Sequence, residues 1–228
     1  MERSKIILDL VQNNSSLSDS LFRLKLLLSS FDDEEIMSWV NNEIVGYYDD
    51  SKIPKYRQIR GTIKCDILHG YQYYYDQYLP ISFSDLDALN IITMTCKESV
   101  AAIETMIKKD EGEYASIIQS AAYPYLQKYV NGYIQNAKLI FSLHDFSGIY
   151  SSIKNKILDI LLLLEKNGVN LDSYDFNLDK EQKKNIIPVI IQIVYKDNSI
   201  RIGSKNKISN SDIIVAEHIT KSNNNKTF

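Results

Sequence analysis

The sequence has few of the residue types on which small metalloproteins and disulfide-bonded proteins depend. Two cysteines in 228 residues, Cys65 and Cys96, are too few for a disulfide framework or a four-thiolate zinc site, and we expect both to be buried thiols. The three histidines, His69, His144 and His218, lie far apart, and none has a histidine or cysteine at metal-ligand spacing. We therefore predict no metal centre and no cofactor.

Motifs of phosphate binding and nucleophilic catalysis are also missing. The eight glycines are dispersed, and none forms a GxGxxG or GxxxxGK[ST] loop. No GxSxG nucleophile elbow is present. We assign no catalytic residues and expect a protein without chemistry of its own. The alternative is a nuclease-like toxin whose carboxylates converge only in the fold.

The chain has no excess of positive charge and no long apolar run. Lysine plus arginine number 26 against 29 aspartates plus glutamates, so no global field draws the protein onto nucleic acid or anionic lipid. The longest apolar run, Ile160 to Leu164, is far shorter than the roughly 20 residues that cross a bilayer. The N-terminus lacks the features of a signal peptide. We expect a cytoplasmic protein that does not associate with membranes.

Helical periodicity is what the sequence does have, in three short segments before Gly46 and in a long one over residues 149–166. The long segment is apolar on more than one side, because leucines fill the positions beside its main stripe. It is either a central helix covered on both flanks or a helix with a self-association stripe. Ile157 and Leu161 are the candidate oligomerisation residues of that stripe.

The hydrophobic period changes to two between residues 55 and 80, which predicts a small antiparallel β insert. Alternate positions from Arg57 to Ile67 point one way, and Gly61 marks a bend or bulge. His69 and Gly70 form a turn, and the tyrosine-rich segment 71–78 is the returning strand.

These patterns predict an α+β fold with a short C-terminal β segment. We expect a mainly helical domain over residues 1–168, a linker over 169–184, a short β-rich tail over 185–220 and disorder over 221–228. The isolated isoleucines of the tail cannot bury a core alone, so we expect it to dock on the domain or on copies of itself. Its candidate oligomerisation residues are Ile200, Ile202, Ile208 and Ile213.

One candidate binding surface lies in the β insert, where four basic residues precede five tyrosines. Strand basics beside stacking aromatics can hold single-stranded nucleic acid or a nucleotide. The same pattern is typical of a sheet whose basic residues protect an exposed edge while its tyrosines pack on helices. The candidate nucleic-acid or phosphate ligands are Lys55, Arg57, Arg60, Lys64 and Tyr73.

A stretch in the first quarter of the chain resembles a known family. It reads "W-x-x-x-E-hydrophobic-x-G-Y" at a helix end, then "hydrophobic-P-x-Y-R" before a strand, and its residues are Trp39, Glu43, Ile44, Gly46, Tyr47, Ile53, Pro54, Tyr56 and Arg57. This pattern resembles the N-terminal module of AbiTii-type abortive-infection proteins, with similarity from about Ile6 to Lys166. The resemblance implies a bacterial anti-phage role in systems that halt infected cells, and it carries over no catalytic residue.

The leading hypothesis is a phage-defence protein that acts as a self-assembling scaffold, sensor or partner-binding module. It would form a homo-oligomer and contact a phage component or a co-encoded effector. The residues that carry the resemblance have packing roles, which favours this hypothesis. Nucleic-acid or nucleotide binding and a nuclease-like toxin are the alternatives.

Overall fold

The computed structural model describes residues 3–81, 85–109, 112–173 and 178–196, and within these ranges the chain is α+β, as predicted. The helices are α1 Lys5–Gln12, α2 Leu17–Leu28, α3 Glu34–Val45, α4 Leu86–Ile92, α5 Val100–Lys109, α6 Tyr123–Leu126, α7 Leu143–Lys166 and α8 Lys180–Tyr195. The strands are β1 Gln58–Arg60, β2 Thr62–His69, β3 Gln72–Tyr78, β4 Thr93–Thr95, β5 Glu113–Ile117 and β6 Tyr133–Ser142. None of the helices in these ranges is long and apolar enough to cross a membrane.

Local capping sets the starts of the N-terminal helices. The side chain of Ser16 accepts a hydrogen bond from the backbone N–H of Asp19 and begins α2. Asp33 accepts one from Ile36 at 2.9 Å and begins α3. Each helix buries one apolar stripe, and none could do so alone, so the three pack on α5, α7 and one another.

Helix α7 is the centre of the core and contacts α1, α2, α5 and α8. Ile157 and Leu161 are both 0% exposed. The apolar excess of this helix is therefore used within one chain, and the prediction that these two residues form a self-association stripe is wrong. Of the two alternatives, the central helix covered on both flanks is the correct one.

The predicted β insert is confirmed and belongs to a larger sheet. Strands β2 and β3 form the hairpin, β6 pairs with the other side of β2, and β5 pairs with β6, which gives the antiparallel order β3-β2-β6-β5. A separate pair joins β1 to β4. Both cysteines of the chain are buried free thiols, as expected.

Gly61 separates β1 from β2 at a very close approach to β6. A Cβ atom at this position would lie 2.7 Å from the side chain of Leu139 and 2.8 Å from the carbonyl oxygen of Ile140. Because one of these neighbours is backbone, it cannot move aside at low cost. A residue with a side chain therefore does not fit here, and Gly61 is where β1 ends and β2 begins.

The β-rich tail predicted to begin at residue 185 is wrong for its first eleven residues, which belong to α8. Asp179 and Gln182 form a capping box, and Ile186, Ile190 and Val194 repeat every four residues on the buried face. Burial of this stripe stabilises the helix by more than the β propensity of the segment disfavours it. It also offsets the loss of the backbone hydrogen bond that Pro188 cannot donate.

The rest of the tail lies outside the described residues. This holds for its candidate oligomerisation residues Ile200, Ile202, Ile208 and Ile213 and for residues 221–228. The segment predicted as a linker over 169–184 already contains the first turn of α8.

Two glycine substitutions test the close approach at β6. We expect Gly61→Ala to lower the free energy of unfolding by about 1–3 kcal/mol through overpacking. The matched change Gly148→Ala lies inside α7 with no atom within 4 Å of the new methyl, and it should raise stability by about 0.5–1 kcal/mol. Urea unfolding followed by circular dichroism measures both. Equal effects of the two changes would contradict the packing at Gly61.

Candidate functional site

The residues of the family-like stretch converge on one buried carboxylate, that of Glu43. Helix α3 places Trp39 and Glu43 one turn apart, and both are 0% exposed. Gly46 ends the helix with a φ of 100°, in the region that favours glycine, and turns the chain so that Tyr47 returns beside Glu43.

Two tyrosines and one arginine share the carboxylate of Glu43. The hydroxyls of Tyr47 and Tyr56 donate to its Oε1 at 2.7 and 2.6 Å. The guanidinium of Arg57 donates from Nη2 to its Oε2 in a buried ion pair. The indole Nε1 of Trp39 donates to the Tyr56 hydroxyl at 2.8 Å. We call these five residues the Glu43 cluster.

Arg57 connects this cluster to the segment between β4 and α5. Its Nη1 donates to the carbonyl oxygens of Cys96, at 3.4 Å, and Glu98, and its Cζ lies 4.9 Å from the ring centroid of Tyr47. The side chain is 0% exposed. Arg57 is therefore unavailable to a surface ligand, which corrects its prediction as a nucleic-acid contact.

The electrostatics of the cluster keep its arginine charged and its tyrosines neutral at neutral pH, because all three pKa values are raised. Burial raises the pKa of Tyr56 well above its usual value, and the charge of Glu43 raises it further. Burial alone would lower the pKa of Arg57, but its interactions with Glu43, Tyr47 and Tyr56 together more than offset this, and the net change is upward. No group of the cluster with a shifted pKa titrates near neutral pH, as a general acid or base would need to. The geometry therefore fits a structural role.

One further cation contacts the cluster from α7. The ammonium of Lys156 lies 5.2 Å from the ring centroid of Tyr56 and donates to the carbonyl oxygen of Ile193 in α8 at 2.5 Å. The residue is only 9% exposed. The cluster and the two longest helices among the described residues therefore meet at this lysine.

A model of the AbiTii family matches residues 4–188. The chain belongs to the AbiTii family. The resemblance found in the sequence is therefore confirmed. Membership of this family implies a role in abortive infection, that is, in phage resistance. Searches of curated proteins and of solved structures find no match.

The other predicted ligands of nucleic acid do not form one basic patch. Lys55, Arg60 and Tyr73 are exposed. Lys64 is 16% exposed and donates to the carboxylate of Glu113 at 2.8 Å, which raises the pKa of the lysine. Of the four basic residues, only Lys55 and Arg60 remain accessible without an ion-pair partner among the described residues.

The tyrosines of the β insert lie on the surface of the described chain. Strand β3 is an edge strand, and all seven of its residues are exposed. The alternative in which these tyrosines pack on helices is therefore wrong. Their exposed fractions run from 42% to 107%, for Tyr71, Tyr73, Tyr74, Tyr75 and Tyr78. We call these five the tyrosine patch, in which Tyr73 and Tyr75 lie on one face of the edge strand and Tyr74 on the other.

A bulge and two ion pairs shape this patch. Asp76 has a φ of 51°, and its N–H donates to Oδ1 of Asp66 at 3.0 Å, where the pairing of β2 and β3 shifts by one residue. Its own carboxylate pairs with Lys138 of β6, and that hydrogen bond lowers the pKa of Asp76. With Lys64 paired to Glu113, most charges that border the patch are neutralised within the sheet.

The described residues hold no group of three or more histidine, cysteine, aspartate or glutamate side chains that could bind a metal ion. Two surface cavities have volumes of about 540 and 230 Å³. Apolar and hydroxyl side chains line both, with Lys97 in the larger and Arg60 in the smaller, and no carboxylate lines either one. The nuclease alternative therefore gains no support from them.

Removal of one partner tests the Glu43 cluster. We expect Arg57→Met to lower the free energy of unfolding by about 3–5 kcal/mol, because it leaves the buried carboxylate of Glu43 without its countercharge. The double variant Glu43→Gln with Arg57→Met should recover part of that loss. The control Arg3→Met breaks the exposed ion pair with Glu165 and should cost about 0–1 kcal/mol. Urea unfolding measures all three, and equal costs at Arg57 and Arg3 would refute the buried pair.

Proposed function

We propose that this protein acts in abortive infection as a self-assembling module, and that the tyrosine patch is the contact between copies. One observation carries the proposal. An edge strand with every residue exposed presents four tyrosines, and a fifth, Tyr71, lies in the hairpin turn before it.

Exposed tyrosines in this number are typical of protein interfaces. Tyrosine is enriched in interface cores, because its ring supplies apolar area while its hydroxyl still forms a hydrogen bond. Exposed patches of this kind on one chain mark binding sites for other proteins. The rings of Tyr73 and Tyr75 already lie 4.5 Å apart, so part of the surface is ordered before it binds.

The charge around the patch favours a second copy as the partner. In a two-fold dimer each patch faces an identical patch, so a net charge would repel its own copy. Here Lys64 and Lys138 are paired with Glu113 and Asp76, so most charges beside the patch are neutralised, and the carboxylate of Asp66 next to Tyr73 is the main exception. The bulge at Asp76 bends the strand, so we expect the copies to meet through side chains rather than through a continuous ladder.

Nucleic acid is less well supported as the ligand. Tyrosines can stack bases, but affinity for a phosphate backbone needs accessible cations. Arg57 is buried and Lys64 is paired, which leaves Lys55 and Arg60.

The double variant Tyr73→Ser with Tyr75→Ser tests the assembly. Each interface tyrosine that is lost removes more than about 1 kcal/mol of binding, so the dissociation constant should rise at least about tenfold. Light scattering after size exclusion should show wild-type particles above the chain mass of 26.3 kDa and a shift of the variant towards that mass. The matched control, Tyr48→Ser with Tyr125→Ser, changes two tyrosines that are 69% and 53% exposed elsewhere and should assemble as wild type.

Two results would overturn the proposal: a wild-type monomer at every concentration, or equal assembly of both double variants. A titration with fluorescent single-stranded DNA runs in parallel. DNA binding that is salt-dependent and lost only in the Tyr73 and Tyr75 variant, with no assembly, would make nucleic acid the ligand of the patch.

A further inference from the structure

A second surface, separate from the tyrosine patch, lies where two sheets end. Residues 93–95, which form β4, and residues 116–118, at the end of β5, border the same cavity of about 540 Å³. Consecutive residues of a strand point to opposite faces. Three consecutive residues on each side border the cavity, which is the pattern expected where the edge of a strand faces it. Two strand edges therefore face this space.

The backbone groups of β5 that face away from its neighbour can be assigned from the ladder. The N–H of Ile118 donates to the carbonyl oxygen of Ala137 directly opposite, at 2.9 Å. Hydrogen bonding alternates along an antiparallel pair, so Ala115 and Ile117 direct their N–H and C=O groups away from β6. In the described chain β5 has no second neighbouring strand.

The same reasoning applies to β4. The N–H of Cys96 donates to the carbonyl oxygen of Arg57 at 2.8 Å, so these two residues form a hydrogen-bonded pair. The backbone N–H and C=O groups of the preceding residue, Thr95, therefore point away from β1. The cavity thus has a strand edge on each of two sides.

The two long edges of the main sheet differ in protection. Strand β3 carries the bulge at Asp76, a device that hinders further pairing. The register of β5 on β6 is continuous, and Ile117 beside the cavity is 82% exposed. A regular, unprotected edge with an exposed apolar residue is suited to accept a strand.

We propose that this cavity binds an extended peptide segment of a protein partner, which adds a strand at the β5 edge. The side-chain walls specify the peptide. Ile91, Met94 and Leu139 offer apolar contacts to every second side chain of such a segment.

Lys97 adds charge complementarity for a carboxylate of the peptide. It lines the cavity, and its present partner is Asp49, whose side chain is 94% exposed. An ion pair this exposed contributes little, so exchange of Asp49 for a carboxylate of the partner is not costly. The partner segment is therefore extended, free of proline, apolar at alternate positions and acidic at one end.

Selection from a random twelve-residue peptide library by mRNA display, with the full chain as target, tests the inference. Enriched peptides should have the alternating apolar pattern with an aspartate or glutamate. Fluorescence anisotropy with a labelled enriched peptide then compares variants. Ile117→Pro removes an N–H that points away from β6 and makes no hydrogen bond to it, so the sheet should be kept. The variant should weaken peptide binding at least about tenfold, whereas Ile117→Val should bind as wild type.

Two further variants keep the test decisive. Ile117→Asp changes an exposed side chain, so it should fold, and it should abolish binding even if the proline variant unfolds. Lys97→Met should weaken binding and reduce its dependence on salt. The inference is overturned if no enriched peptide loses affinity in the Ile117 variants. It is also overturned if these variants block assembly of the chain while no peptide binds. In that case the β5 edge would bind a second copy of this chain and not a peptide of another protein. Failure of the tyrosine patch to assemble the protein would leave this result unchanged.

Discussion

A charged carboxylate inside a protein must be paired there, and the arrangement of this chain around Glu43 follows from that requirement. A buried ion pair whose remaining hydrogen-bonding positions are filled is tolerated, whereas a lone buried charge is not. Glu43 lies at the end of α3, and its partners Tyr47, Tyr56 and Arg57 come from the loop that follows. Arg57 in turn holds the segment after β4. One carboxylate thus fixes a helix end, a loop and the entry to the sheet.

Arg57 fixes the point at which the chain enters β1, and the two sheets diverge just after that strand. Arg57 directly precedes β1, and Gly61 ends that strand after three residues, so the extended chain pairs first with β4 and then, as β2, with β3 and β6. The close contact of Gly61 with β6 permits this change of partners. A strand that changes partners leaves free edges on both sheets.

Local patterns predicted the elements well, and failures occur where distant contacts decide. The opening helices and the β2–β3 hairpin depend on periodicity and turns within a few residues. Pairing of β5 with β6 is nonlocal, so neither the full sheet nor its cavity was predictable. For α8, a buried stripe and a capping box outweigh β-branched residues. A signal for Arg57 was present, because it alternates in phase with Ile59 and Ile63, which are buried. Sequence alone gave no partner for it.

Lys156 shows that the folding unit extends past the stretch that defines the family. The family model ends at residue 188, in the middle of α8, but the carbonyl that accepts from this lysine belongs to Ile193. Ile190 and Val194, both buried, also follow that boundary. A chain shortened to the family limits would uncover the flank of α7 and remove an acceptor from an ammonium held inside the protein. The stability of this fold therefore depends on residues that lie beyond the family match.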